Sequence, residues 1–167
     1  NFSEKQYRKL LITGGAGFIG SNFAHYWYKN YPSDRVIVLD VLTYAGNRRN
    51  LISLEEKENF RFVQGNICDY PLIDKLLTEE NIDTVAHFAA ESHVDRSILV
   101  PDAFIRTNVL GTFTLLESFR HYWNEQGKPE DYRFLHVSTD EVYGSLEADD
   151  PAFTETTPYA PNSPYSA

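Results

Sequence analysis

Lys9-Leu10-Leu11-Ile12-Thr13-Gly14-Gly15-Ala16-Gly17-Phe18-Ile19-Gly20 is the stretch from which the rest of the chain can be read. Leu10 to Ile12 form an apolar run of strand length. Three glycines follow at three-residue spacing, and a helical pattern begins after them. Strand, glycine turn and helix are the parts of a dinucleotide-binding βαβ unit. Gly14 suits the tight turn out of the strand, Gly17 the close approach of a pyrophosphate, and Gly20 close packing of helix on strand. The helix start adds free N–H groups and the positive end of its dipole.

A glycine turn that merely joins strand to helix is the plainer alternative. Asp40 argues against it. It closes the apolar run Val36-Ile37-Val38-Leu39, twenty positions after Gly20. A carboxylate there can accept from adenosine ribose hydroxyls and repels a 2′-phosphate, which points to NAD rather than NADP. A helix N-cap is the other use of such an aspartate.

The 167 residues suffice for one domain with a substantial core. A net charge of −9 is the wrong sign for a nucleic-acid or anionic-membrane partner. The longest apolar runs are strand-length, so no transmembrane helix is expected. Residues 1–8 are polar and carry no signal-peptide pattern. Cys68 is the sole cysteine, which suits a cytoplasmic protein, and it is expected to be a buried, inert thiol. The sequence has no methionine and stops at Ala167 in mid-motif, so a piece of a longer chain is expected.

Strand and helix patterns alternate along the chain. A helix is expected over 18–31, with Phe23, Tyr26 and Trp27 in the core, and a strand over 35–40. A loop at 41–47 and a short helix at 50–57 come next, followed by a strand at 60–64. Leu72, Ile73, Leu76 and Leu77 mark a helix over 70–80. A strand at 83–88, a long helix at 101–126 and a strand at 132–138 complete the order. The pattern predicts a Rossmann-type, doubly wound parallel sheet of order 3-2-1-4-5. Apolar residues wrap well over half of the long helix, more than its own sheet requires, which suggests a second partner such as another subunit. From Gly144 onward the chain reads as loop.

Ser138-Thr139-Asp140-Glu141-Val142-Tyr143-Gly144 follows the last strand. It puts a hydroxyl and two carboxylates at the carboxyl end of what reads as a central strand, where α/β sheets place their chemistry. On charge alone this would be a solvated acidic turn. The nearby cofactor site favours catalysis. Tyr165 lies twenty-six residues after Thr139.

Taken together, Thr13 to Gly20, Leu42-Thr43-Tyr44-Ala45-Gly46-Asn47, Ala89-Ala90-Glu91-Ser92-His93-Val94-Asp95-Arg96-Ser97, Ser138 to Gly144 and Pro164-Tyr165-Ser166-Ala167 resemble a known family. It is the extended short-chain dehydrogenase/reductase family, N-terminal half, and within it the dTDP-glucose 4,6-dehydratase branch. The resemblance implies a lyase that converts dTDP-glucose to its 4-keto-6-deoxy product through transient hydride transfer to bound NAD. Residues 1–167 would be the NAD-binding domain, without the substrate domain and inactive alone. A homodimer is also implied, through the long helix.

The resemblance assigns NAD contacts to Gly14, Gly17, Phe18, Ile19 and Gly20 at the pyrophosphate, and to Asp40, Val41, Leu42 and Thr43 at the adenosine. Asn66 and Ile67 flank the adenine. Asn66 departs from the usual Asp, yet its amide oxygen can still accept. Phe88, Ala89, Ala90, Ser92 and Thr107 line the cofactor. Ser92 and Thr139 bind the sugar, Asp140 is the proton donor, Glu141 the proton acceptor and Tyr165 the alcohol base. The lysine that normally follows this tyrosine by four positions would fall beyond Ala167. His93, Asp95 and Arg96 read as a structural hydrogen-bond network, since two ligands make no metal site. His25, His87, His121 and His136 receive no function. A nucleotide-sugar 4-epimerase or decarboxylase is the nearest alternative, and Asp140 disfavours it. A silent NAD-binding scaffold is the alternative from another class.

Overall fold

The computed structural model describes residues 7–167, with the side chains of 94–96 outside that description. The first half contains β1 (Lys9–Thr13), α1 (Phe18–Asn30), β2 (Arg35–Asp40), α2 (Ile52–Glu55), β3 (Phe60–Gln64) and α3 (Tyr70–Glu79). The second contains β4 (Thr84–His87), α4 (Val94–Leu99), α5 (Pro101–Phe104), a π-helical segment (Ile105–Gly111), α6 (Thr112–Glu125) and β5 (Arg133–His136). All pairings are parallel, in the order β3-β2-β1-β4-β5. The expected topology is therefore the observed one.

Alternation along the strands builds a core on each face. Leu11, Ile37, Leu39 and Val85 meet Ile73, Leu76 and Leu77 of α3 and Leu115, Phe119 and Tyr122 of α6. Leu10, Ile12, Val36, Val38 and Ala86 meet Ala24 of α1, with Phe23 and Trp27 packed alongside. Burial on both faces explains why β1 and β2 read as unbroken apolar runs.

Four expectations need correction. Tyr26 is 59% exposed: Phe23 and Trp27, four apart, share the buried stripe, and Tyr26 falls off it. β5, read as central, is the outermost of the five described strands, and Leu135 is 51% exposed on it. Cys68 is exposed, its thiol donating to the Arg106 carbonyl at 3.3 Å. The run over 101–126 is not one α-helix. It widens into π turns from Ile105 to Gly111, where a Gly111 Cβ would stand 2.5 Å from Ile67 Cδ1. The segment is pressed against the loop after β3, and such bulges are common at functional sites. In addition, α4 was not expected from the sequence. Asp95 and Arg96, read as part of a hydrogen-bond network, lie among the undescribed side chains. Among the described residues, no helix is long and apolar enough to cross a membrane.

Candidate active site

The site lies beyond the carboxyl ends of the strands. Thr13 leads into Gly14, whose φ of +69° belongs to the left-handed region and whose N–H donates to the Leu39 carbonyl at 2.9 Å. A Cβ there would stand 2.6 Å from Ala89 N, so the loop after β4 lies directly against the turn. At Gly17 a Cβ would meet only the Gly14 carbonyl at 3.3 Å and that of Ala45 at 3.9 Å. Gly17 thus meets its own loop only at one tight carbonyl contact and has no side chain against it, which leaves its backbone open to close approach by a ligand. A Cβ on Gly20 would run into the Gly14 carbonyl and stand 2.8 Å from Gly15 Cα. Gly20 therefore lets α1 close on the glycine loop itself rather than on the strand. No side chain caps α1, so its first N–H groups remain available to an anion.

One cavity of about 600 Å³ gathers these residues. Gly14, Gly17, Phe18, Ile19 and Gly20 line it, as do Asp40, Val41 and Thr43, Asn66 and Ile67, Phe88, Ala89, Ala90 and Ser92, and Thr107, Thr139 and Tyr165. The volume lies within the range of cofactor pockets.

Asp40 does more than face a ligand. It is 8% exposed, with Oδ2 accepting from Ala16 N–H at 3.0 Å and Oδ1 from Leu42 N–H at 2.8 Å. It fastens the glycine loop to the loop after β2, and each oxygen retains a lone pair for a hydroxyl. Leu42 does not line the cavity; it packs on the α1-side core at a φ of 58°. The Asn66 oxygen already accepts from Cys68 N–H at 2.9 Å, within its own loop. Ile67, 5% exposed, belongs chiefly to the core.

Thr139 and Tyr165 share the cavity because the chain between them folds back. Gly144 turns at φ +106°, Ala160 N–H donates to the Val142 carbonyl at 3.0 Å, and Tyr143 packs on Phe153 and Tyr159. Asp140 and Glu141 do not line the cavity. They begin a 3₁₀ turn, Asp140–Tyr143, that Thr139 caps through its hydroxyl and the Glu141 N–H at 3.2 Å. Asp140 is exposed and Glu141 half-buried, between the lining residues Thr139 and Val142.

Several lining residues escaped the sequence reading, among them Asn108, Thr112 and His136. Asn108 and Thr112 are two of many polar positions along 101–126, so nothing in their spacing set them apart. His136 pairs in register with His87, which motif reading alone could not reveal.

A model of the GDP-mannose 4,6 dehydratase family matches residues 11–167. The chain is 49% identical to dTDP-glucose 4,6-dehydratase 1 of Escherichia coli over 95% of its length and 46% of that protein. It is 57% identical to dTDP-glucose 4,6-dehydratase of Xanthomonas campestris over 94% of its length and 44% of that protein. The crystal structure of the dTDP-glucose 4,6-dehydratase DesIV of Streptomyces venezuelae, which holds NAD, superposes with a TM-score of 0.82 at 49% identity. That match covers 95% of this chain and 47% of DesIV. The chain thus spans about half the length of the relatives it matches.

Proposed function

The chain belongs to the GDP-mannose 4,6 dehydratase family, and from that premise we propose that it is the NAD-binding domain of a nucleotide-sugar 4,6-dehydratase acting on dTDP-glucose. The observation that carries this is the shared cavity: Thr139 and Tyr165 line the same space as the glycine loop and Asp40. The identity to dTDP-glucose 4,6-dehydratases supports the choice of sugar donor.

The bare backbone at Gly17 and the uncapped start of α1 suit a pyrophosphate. The adenosine half would lie along Asp40, Val41, Thr43, Asn66 and Ile67, and the nicotinamide half along Phe88, Ala89, Ala90, Ser92 and Thr107. Leu42 would contribute by holding its loop in place. Bound NAD would supply the oxidising capacity for the first step and recover it in the last.

In this reading Tyr165 accepts the proton of the sugar 4-hydroxyl as C4 is oxidised. Thr139 and Ser92 hold the sugar. The C4 ketone acidifies the C5 hydrogen, which Glu141 removes. Asp140 protonates the departing 6-hydroxyl, and water leaves; the C5–C6 double bond so formed would regain at C6 the hydride taken from C4 and at C5 the proton held by Glu141, which gives the 4-keto-6-deoxy sugar. Elimination needs one base and one acid on adjacent carbons, which is why two carboxylates stand side by side. With substrate bound, both must turn from the rim of the cavity toward it. We also infer a cytoplasmic homodimer, supported by the single cysteine and the apolar helix face.

The test is product analysis with the full-length protein and dTDP-glucose. The expected product has lost water and carries a 4-keto-6-deoxy sugar. Recovery of the 4-epimer with no water lost would replace the dehydratase reading by an epimerase.

A further inference from the structure

β2 and β4 both neighbour β1, so the loops that follow them flank the glycine loop. Each touches it. Asn47 N–H donates to the Ala16 carbonyl at 2.9 Å on one side, and the Ala89 backbone lies against Gly14 on the other. The two loops also meet each other. The Tyr44 hydroxyl donates to the Glu91 carboxylate at 3.2 Å, and the Tyr44 and His93 rings lie 5.9 Å apart. Thr43 and Ala45 on one side of this bond, and Ala90, Glu91 and Ser92 on the other, line the cavity, while Tyr44 does not.

Glu91 is itself held. Its N–H donates to Asn108 Oδ1 at 2.8 Å, and its carbonyl accepts from Asn108 Nδ2 at 2.9 Å. One amide satisfies both backbone groups of one residue, so the position of Glu91 is set by the π segment. A continuous line of hydrogen bonds therefore runs from the π segment through Asn108 and Glu91 to Tyr44, crossing from one wall of the cavity to the other.

We propose that Tyr44 and Glu91 form a clasp across the cofactor groove, with Asn108 as the positioning residue that presents Glu91 to Tyr44. The proposal rests on the NAD-binding reading. Tyr44 lies outside the cavity lining, so the bond its hydroxyl makes governs how readily the groove opens rather than how well its walls grip. Entry and release share that opening, and the clasp slows both. Slow exchange suits a cofactor that each catalytic cycle restores.

Exchange kinetics on the full-length protein test this. Entry is followed by NADH fluorescence, and release by displacement with excess NAD. Tyr44→Phe deletes only a hydroxyl from a side chain that is 55% exposed, so folding should survive. Entry and release should each quicken by about three- to tenfold, the worth of one such hydrogen bond, with Kd moving less than about twofold. Glu91→Ala should quicken both rates as much while also moving Kd, since Glu91 lines the cavity, and Glu91→Gln, which keeps an acceptor oxygen, should stay nearer wild type. Adding Asn108→Ala to Tyr44→Phe should change little further, because both act on one bond. Faster release with unchanged entry would make Tyr44 a ligand contact and overturn the clasp, as would unchanged rates. A wild-type protein that binds no NAD overturns the cofactor reading first, and the clasp with it.

Discussion

His87 Nδ1 lies 2.6 Å from the Thr13 hydroxyl, with both side chains buried at the residue where β1 turns into the glycine loop. The other ring nitrogen lies 2.9 Å from the Thr112 hydroxyl, at the start of α6. A neutral imidazole can donate at one nitrogen and accept at the other, and either hydroxyl can answer it. His87 thereby ties β1, β4 and α6 together beneath the cavity.

Burial, and then the neighbouring His136, push the His87 pKa down from 6.5 to about 4. Between those values the unfolded chain binds a proton that the folded chain refuses. Stability therefore rises with pH across that window; His87's contribution is complete above pH 6.5 and is lost as pH falls toward 4. The contribution is about 3 kcal/mol. Urea unfolding from pH 4 to 7.5 should show it as a difference between wild type and His87→Gln, which cannot titrate. Parallel pH profiles for the two proteins would rule out His87 as the source.

Glu80 titrates in a lower window. Burial alone would raise its pKa, but the Arg35 and Arg61 guanidiniums outweigh that and hold it below the usual value. Arg35 Nε lies 3.0 Å and Arg61 Nη1 2.6 Å from its carboxylate. This contribution is complete above the ordinary glutamate pKa and is lost as pH falls through the depressed one. Glu80→Gln should cost about 1–3 kcal/mol at neutral pH, because it strips the charge from two guanidinium contacts. Arg61→Met, at the more exposed end, should cost no more than about 1 kcal/mol. Chemical denaturation at pH 7 ranks the two, and an equal cost would contradict the burial argument.

Gly17 and Gly20 separate binding from folding. Gly17 sits at φ −73°, open to any residue, and its missing Cβ would meet one backbone atom closely, the Gly14 carbonyl oxygen at 3.3 Å. Gly17→Ala should leave thermal stability within about 1 kcal/mol of wild type while weakening NAD binding at least tenfold, since the new methyl occupies the pyrophosphate's place. Gly20→Ala must push backbone against backbone and should destabilise by about 1–3 kcal/mol. Calorimetric titration beside thermal unfolding distinguishes them. Normal NAD affinity in a folded Gly17→Ala protein would remove the glycine loop from the cofactor site.

The first two strands were legible because β1 and β2 are buried on both faces and write continuous apolar runs. The π segment was not, since Ile105, Val109 and Leu110 carry the same apolar spacing an α-helix would. The widened segment ends where Gly111 packs on Ile67, a contact across the fold that local spacing does not record. The glycine loop and Asp40 were legible as a pair, but the two backbone N–H groups that Asp40 accepts from depend on how the loops fold. Cys68 is exposed beside the buried Ile67, and its thiol bonds to the Arg106 carbonyl, a partner distant in sequence that no local pattern records. His87 and His136 meet through strand register, which no local motif records.

Ile105, Val109, Phe113 and Leu116 are all exposed along the run from the π segment into α6. Their three- and four-residue spacing sets them on one face, beyond what the sheet covers. Light scattering of the full-length protein at micromolar concentration should give a dimer. Phe113→Asp should shift it toward monomer by placing a charge in the contact. A wild-type monomer would overturn the dimer reading.

Asp140 and Glu141 belong to one short turn but differ in setting, Asp140 exposed and Glu141 half-buried. If their roles are acid and base, Asp140→Asn and Glu141→Gln should both spare oxidation at C4, where Tyr165 takes the proton. The amides keep size and much of the hydrogen bonding, and Thr139 still caps the turn through the Glu141 N–H. Each substitution should slow elimination by about 10²–10⁴, the usual loss for one acid–base partner. The two should differ at C5. Glu141→Gln should also slow exchange of the C5 hydrogen with solvent, while Asp140→Asn should allow that exchange and slow only the loss of water. Single-turnover absorbance of NADH with dTDP-glucose, followed beside deuterium uptake at C5, reads both steps. Water loss at the wild-type rate in Asp140→Asn would mean that Asp140 is not the acid. The residue that distinguishes this chain from a 4-epimerase would then have lost its role.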